Sequence, residues 1–232
     1  MAPFGTLYTL TDTVHPRSRK ILAAAALNDL TLTLPAAFEN GVSNKTPDFL
    51  SKFPLGQIPT FESAEEPPLY LSESTAIAQH VAASGPRRDQ LLGGDARARA
   101  LNQQWIQFND LTFERTAADL ARWRLGYAAY DAAHEAQAAA DVRRWLARYE
   151  GHLAAGRRTW LVNADDAGGP SLADLVFGGT LFILRFTYMD AAMRDEYPHV
   201  RRFYEGLQGV PGLAELYTGP LLEKRKEFEE QS

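Results

Sequence analysis

The hydrophobic pattern changes character near residue 84. Before that point, short apolar runs with β-like alternation are interleaved with helical spacing; after it, apolar positions recur almost everywhere at three and four residues. Residues 6–10 read as a strand. Pro16 can open a helix that runs to about Leu27, because a proline at the first helical position gives up no hydrogen bond, and Ile21, Leu22, Ala25 and Ala26 fall at helical spacing. Residues 31–34 alternate as a second strand. Residues 47–53 form a short helical piece between prolines, brief strands fall at 59–62 and 69–71, and residues 74–83 return to helix. The order β-α-β-α-β-β-α predicts a small sheet with helices on its faces.

Gly85-Pro86 and the polar stretch through Gly93-Gly94 predict a linker over residues 85–94. From Asp95 onward a long helix carries Trp105, Phe108, Asn109, Thr112, Phe113 and Thr116 on one stripe. Alanine-rich residues 132–155 carry Val142, Trp145, Leu146 and Tyr149 at the same kind of spacing, so both helices are expected in a bundle. Ser171-Leu172-Ala173-Asp174 reads as the N-terminal box of a buried helix running to about Met189, its serine and aspartate satisfying orphan backbone donors.

With 232 residues, 45% of them hydrophobic, the chain is long enough for a sizeable core. It has no cysteine, which excludes disulfides, thiolate metal sites and a cysteine nucleophile. Any thiol chemistry must therefore use a thiol brought by a substrate. The formal charge of −5 is spread among interspersed acids and bases, so no basic stripe points to nucleic acid or to an anionic membrane. The N-terminus lacks a signal pattern, and no apolar run approaches the roughly 18 residues of a membrane span. A cytoplasmic chain with no membrane partner is the expectation. His80, His134, His152 and His199 have no acidic or thiol neighbours at ligand spacing, so no metal is expected. Phosphate loops, dinucleotide fingerprints and serine-hydrolase elbows do not occur.

Residues 44–62, with Asn44, Lys45 and the run Gly56-Gln57-Ile58-Pro59, are followed by Leu71-Ser72-Glu73-Ser74-Thr75-Ala76-Ile77-Ala78. Together they resemble the glutathione-binding half of the glutathione transferase superfamily, most of all theta-like members and the transferase-like module of the gamma subunit of translation elongation factor 1B. The likeness continues through Gln90-Leu91-Leu92-Gly93, residues 104–110, Thr159-Trp160-Leu161-Val162 and the Ser171 box. It implies an α/β thioredoxin-like N-terminal domain over residues 1–84 and an all-α helical-bundle C-terminal domain over 95–232. Glutathione would be the co-substrate, an electrophilic small molecule the second substrate, and a homodimer the assembly.

The resemblance also implies roles for particular residues. Pro59 would follow a cis bond, leaving the Ile58 backbone to pair with the cysteinyl part of glutathione; an ordinary loop proline is the plainer alternative. Ser74 and the free N–H groups of the helix start would hold the γ-glutamyl carboxylate, and Glu73 its ammonium, against the alternative of a simple helix cap. Gln57 and Lys52 are candidates for the glycyl end, where relatives often place a lysine at the position of Gln57. Asn44 and Lys45 lie on the loop leading in. Asp110 would reach across the dimer toward the ammonium group, or else be merely solvated.

The group that activates the thiol is expected between the first strand and first helix, where this chain departs from the usual pattern. His15, Thr13 and Thr11 are the candidates, His15 as a donor or a positive charge, with Ser18 one turn inside the helix. Tyr8 reads instead as a strand residue facing the core. The 105–116 stripe, with Arg122 and Trp123, would wall the second pocket and favour a partly polar co-substrate. A non-catalytic interaction module is the rival reading; a chain ending at Ser232 in a charged tail, without the elongation factor subunit's further domain, favours a free-standing transferase.

Overall fold

The computed structural model describes residues 2–10, 15–156, 158–163 and 168–227. Strands β1 (Gly5–Tyr8), β2 (Leu32–Thr33), β3 (Thr60–Ser63) and β4 (Tyr70–Leu71) form one sheet in the order β2-β1-β3-β4. β1 runs parallel to β2 and antiparallel to β3, with Leu7 opposite Phe61, and β4 is antiparallel to β3. Because successive strand residues face opposite sides, Leu7 and Tyr8 part company. Leu7 and Phe61 join the core with Ile21 of α1 (Pro16–Leu27) and Ile77 of α3 (Ser74–Ala83). Tyr8 lies instead among Phe38 and the Phe49 and Phe53 rings at α2 (Pro47–Lys52), and its hydroxyl donates to Glu62 at 2.8 Å. Tyr8 is a strand residue as expected, but the expectation that it faces the core is corrected: it is half-buried on the opposite side of the sheet from Leu7.

The helices start where local chemistry allows. Prolines stand in the first turns of α1 and α2, Thr46 caps α2 by accepting from the Phe49 amide at 3.3 Å, and α3 begins at Ser74. The segment expected as a linker carries a short helix, α4 (Arg88–Leu92), whose Leu91 is fully buried.

The remainder is helical. α5 (Ala96–Phe108), a π-helical turn at Asn109–Phe113 and α6 (Glu114–Arg122) form one long rod. It packs with α7 (Ala132–Ala154) and α8 (Leu172–Thr187), and the chain continues through α9 (Ala191–Asp195), α10 (Pro198–Gly209) and α11 (Ala214–Tyr217). α8 is the centre: its Ser171–Asp174 box forms as expected, Asp174 accepting from the Ser171 amide at 2.7 Å and from the Leu161 amide at 2.7 Å. Gly179 lets α8 approach α1, since a Cβ there would sit 3.0 Å from the Pro16 carbonyl oxygen. The α1–α8 contact joins the sheet unit to the helical unit.

Most of the stripe on the long rod packs inside the bundle. Trp105, Asn109 and Phe113 are buried: Trp105 stacks on Tyr149 at 5.0 Å, Phe113 meets Phe177 at 5.8 Å, and Asn109 donates to Thr180 at 3.0 Å. Phe108 packs on Trp145 and Tyr149. Periodicity identifies a buried face, and here that face meets α7 and α8. No described helix is long and apolar enough to cross a membrane.

Candidate functional site

Two clefts open at the junction of the units. The first, about 520 Å³, is polar: Gln57, Ile58 and Pro59 lie on one side, Ser72 to Ala76 at the start of α3 on another, and Gln103, Gln107, Asp110, Glu114 and Arg115 on the long rod opposite. The second, about 480 Å³, is mostly apolar, with Leu10, Ala118, Leu125, Tyr127, Phe182 and Phe186 among its walls. Arg17, Ile58 and Glu114 line both.

The Gln57–Pro59 edge is held from behind. Gly56 takes a positive φ of 54°, open to glycine at little cost, and its carbonyl accepts from Asn44 Nδ2 at 2.7 Å and Lys45 Nζ at 2.9 Å. Asn44 and Lys45 thus support the loop rather than enter the cleft. The Ile58-Pro59 peptide is cis, as the resemblance implied. Glu73 adopts φ 67°, a conformation rare for a residue with a side chain and characteristic of sites where geometry is enforced by the surroundings. Among the described residues no side chain caps α3, whose first residues, Ser74, Thr75 and Ala76, line the cleft.

Beneath that helix start lies a charge network that sequence reasoning missed. Lys20, with a side chain only 3% exposed, donates to Thr75 Oγ1 at 2.7 Å and to Asp110 Oδ1 at 3.2 Å. Thr75 in turn donates to Asp110 Oδ2. Glu114 accepts from Arg17 Nε at 2.5 Å and lies 3.9 Å from Lys20 Nζ. Both oxygens of Asp110 are therefore engaged within its own chain. A lysine and an arginine in the first turns of a helix look solvated in sequence, and only Glu114, four residues beyond Asp110 on the same face, carried a usable signal.

The other candidates are placed as follows. Gln57, Ile58, Pro59, Glu73, Ser74 and Asp110 come together around the polar cleft. Lys52 stays outside it, paired with Glu62 at 3.1 Å and set over the Tyr70 ring. His15 faces the apolar cleft, and its Nδ1 is buried with no partner among the described residues. Burial, reinforced by Arg17 and Lys20, pushes its pKa down to about 4, so of the two roles expected for His15, donor or positive charge, a neutral imidazole near neutral pH favours the donor. Ser18 is fully buried and bonded to Thr9 at 2.6 Å, away from both clefts. Thr11 and Thr13 lie outside the described residues. Arg122 lines the apolar cleft, whereas Trp123 is buried against Tyr130 and His134. The second cleft thus sets Arg17, Glu114 and Arg122 among mostly apolar walls.

Residues 5–83 match the family described as the glutathione S-transferase N-terminal domain, and residues 128–206 its C-terminal domain. A "Glutathione S-transferase-like protein" of Aspergillus aculeatus is 41% identical over 92% of this chain and 98% of its own length. Elongation factor 1-gamma 2 of Oryza sativa is 34% identical over 83% of this chain but only 44% of that protein. The fold is shared, at TM-score 0.80 and 18% identity, with the transferase URE2P6 of Phanerochaete chrysosporium solved with oxidized glutathione; the match covers 93% of this chain and 96% of that one. On the sequence relationship, seated on this fold, the chain belongs to the glutathione S-transferase family.

Proposed function

We propose that the protein is a glutathione transferase: it binds reduced glutathione in the polar cleft, stabilises its thiolate and presents it to an electrophilic small molecule in the apolar one. The observation that carries this reading is the pair of clefts, one polar and one apolar, sharing the wall formed by Arg17, Ile58 and Glu114. Glutathione carries two carboxylates, an ammonium and a thiol. The γ-glutamyl carboxylate sits at Ser74 and the free amides of α3, its ammonium faces Glu73, the Ile58 backbone pairs with the cysteinyl residue, and Gln57 reaches the glycyl end. Residues 1–84 hold the tripeptide, 85–94 join, and 95–232 shape the second pocket.

Rate comes from holding thiolate and electrophile together and from keeping the sulfur ionised. The sulfur gives its electron pair to an electrophilic carbon, a carbon–sulfur bond forms, and a leaving group or a π bond takes the displaced pair, with solvent supplying any proton that is needed. The apolar lining favours electrophiles with an extended apolar body. Conjugation, isomerisation and reduction all start from this thiolate. We also propose a homodimer acting in the cytoplasm; exposed Leu55, Leu69 and Tyr70 offer apolar surface that a second copy would cover.

The test is incubation with reduced glutathione and a panel of aryl halides and unsaturated carbonyl compounds, with thioether products and electrophile loss followed by chromatography. Enzyme-dependent turnover supports the transferase. The 34% identity to elongation factor 1-gamma favours a second reading, an assembly module without catalysis; absence of turnover together with absence of glutathione binding would select it.

A further inference from the structure

Among the described residues, only three belong to both clefts: Arg17, Ile58 and Glu114. A sulfur carried by a tripeptide in one cleft and attacking a molecule in the other must lie at that boundary, within a few ångströms of all three. Ile58 brings main chain and an apolar side chain. Glu114 brings a carboxylate, which opposes a second negative charge. Arg17 is the sole side-chain donor of the three. Its Nε is committed to Glu114 at 2.5 Å, while its two terminal amino groups have no hydrogen-bond partner among the described residues, and the side chain is 51% exposed.

Resting on the glutathione reading above, we infer that Arg17 is a catalytic residue whose guanidinium donates to the glutathione sulfur and stabilises its thiolate. The S–H bond breaks heterolytically, the electron pair stays on sulfur, the proton passes to solvent, and the anion gains a charge-assisted hydrogen bond. Glu114 fixes the direction of the guanidinium, and Lys20, 3.9 Å from the other Glu114 oxygen, offsets its charge. Among the described residues, the charged groups lining the two clefts are Arg17 and Lys20 from α1, Glu73 just before α3, and Asp110, Glu114, Arg115 and Arg122 from the long rod. Among the described residues, four cations against three carboxylates leave one positive charge, beside a neutral His15. An anion at the boundary completes that balance.

The experiment follows the ultraviolet thiolate absorbance of bound glutathione against pH in wild type, Arg17→Gln and Glu114→Gln, with calorimetry on S-methylglutathione, which has no thiol to ionise. Arg17→Gln should raise the titration of the bound thiol, cutting its thiolate about tenfold below the midpoint, while affinity for S-methylglutathione is unchanged. Glu114→Gln removes the opposing charge while keeping an acceptor for Arg17 Nε and should shift the titration the other way, which tests the sulfur's place at this boundary even where Arg17→Gln does not fold. An unmoved titration in Arg17→Gln, an equal loss of S-methylglutathione affinity, or an unmoved or raised titration in Glu114→Gln overturns Arg17 alone. Failure of the wild type to bind glutathione or S-methylglutathione overturns the glutathione reading, and this inference with it.

Discussion

Lys20 on α1 and Asp110 on the π-helical turn, 90 positions apart in sequence, meet at 3.2 Å and share Thr75 at the start of α3. The contact joins three elements around one end of the polar cleft. Taking away the Lys20 ammonium leaves Asp110 and Glu114 as near neighbours with less compensation. Lys20→Met should destabilise the protein by about 2–3 kcal/mol, somewhat below the full cost of breaking a buried pair because Asp110 retains contact with water. Denaturant unfolding reads this directly, and Lys20→Met/Asp110→Leu should recover part of the loss.

His15 makes a prediction with a definite sign. Its pKa is 6.5 unfolded and about 4 folded, so the native state prefers the neutral ring. The stability this confers is fully present above 6.5 and is lost as pH falls through 4. In thermal unfolding across that interval, His15→Ala should lose less stability on acidification than wild type. A steeper acid loss in His15→Ala contradicts a neutral, half-buried ring.

Asp174 is a structural test of the helical unit. It is completely buried and accepts from two backbone amides, those of Leu161 and Ser171, and from the Ser171 hydroxyl at 2.6 Å. Asp174→Ala strands those donors beside a new void, so a loss of about 3–5 kcal/mol is expected. Asp174→Asn keeps the volume and one acceptor and should cost less. Equal melting temperatures for Asp174→Ala and wild type would contradict this account of α8.

Much of the fold was legible because its signals are local. Pro16, Pro47 and the Ser171 box mark helix starts with chemistry that acts within one turn, and α1, α2 and α8 begin where those signals stand. What escaped was non-local. Nothing within α1 shows that Lys20 will be buried by a carboxylate 90 residues away, or that Arg17 will end at the boundary of two clefts. The Trp105 to Thr116 stripe correctly indicated a buried face, but spacing alone does not say what covers it, and Trp105 and Phe113 are covered by Tyr149 and Phe177. The π-helical turn at Asn109–Phe113 has no compositional mark.

The central claim is that the start of α3 and the Ile58 edge grip glutathione, and calorimetric titration of wild type beside Ser74→Ala tests it most directly. Saturable binding of reduced glutathione by wild type, weakened by about 1–3 kcal/mol in a Ser74→Ala protein of unchanged melting temperature, is the predicted result. No heat of binding from wild type up to millimolar glutathione, or equal affinity in the two proteins, would contradict it.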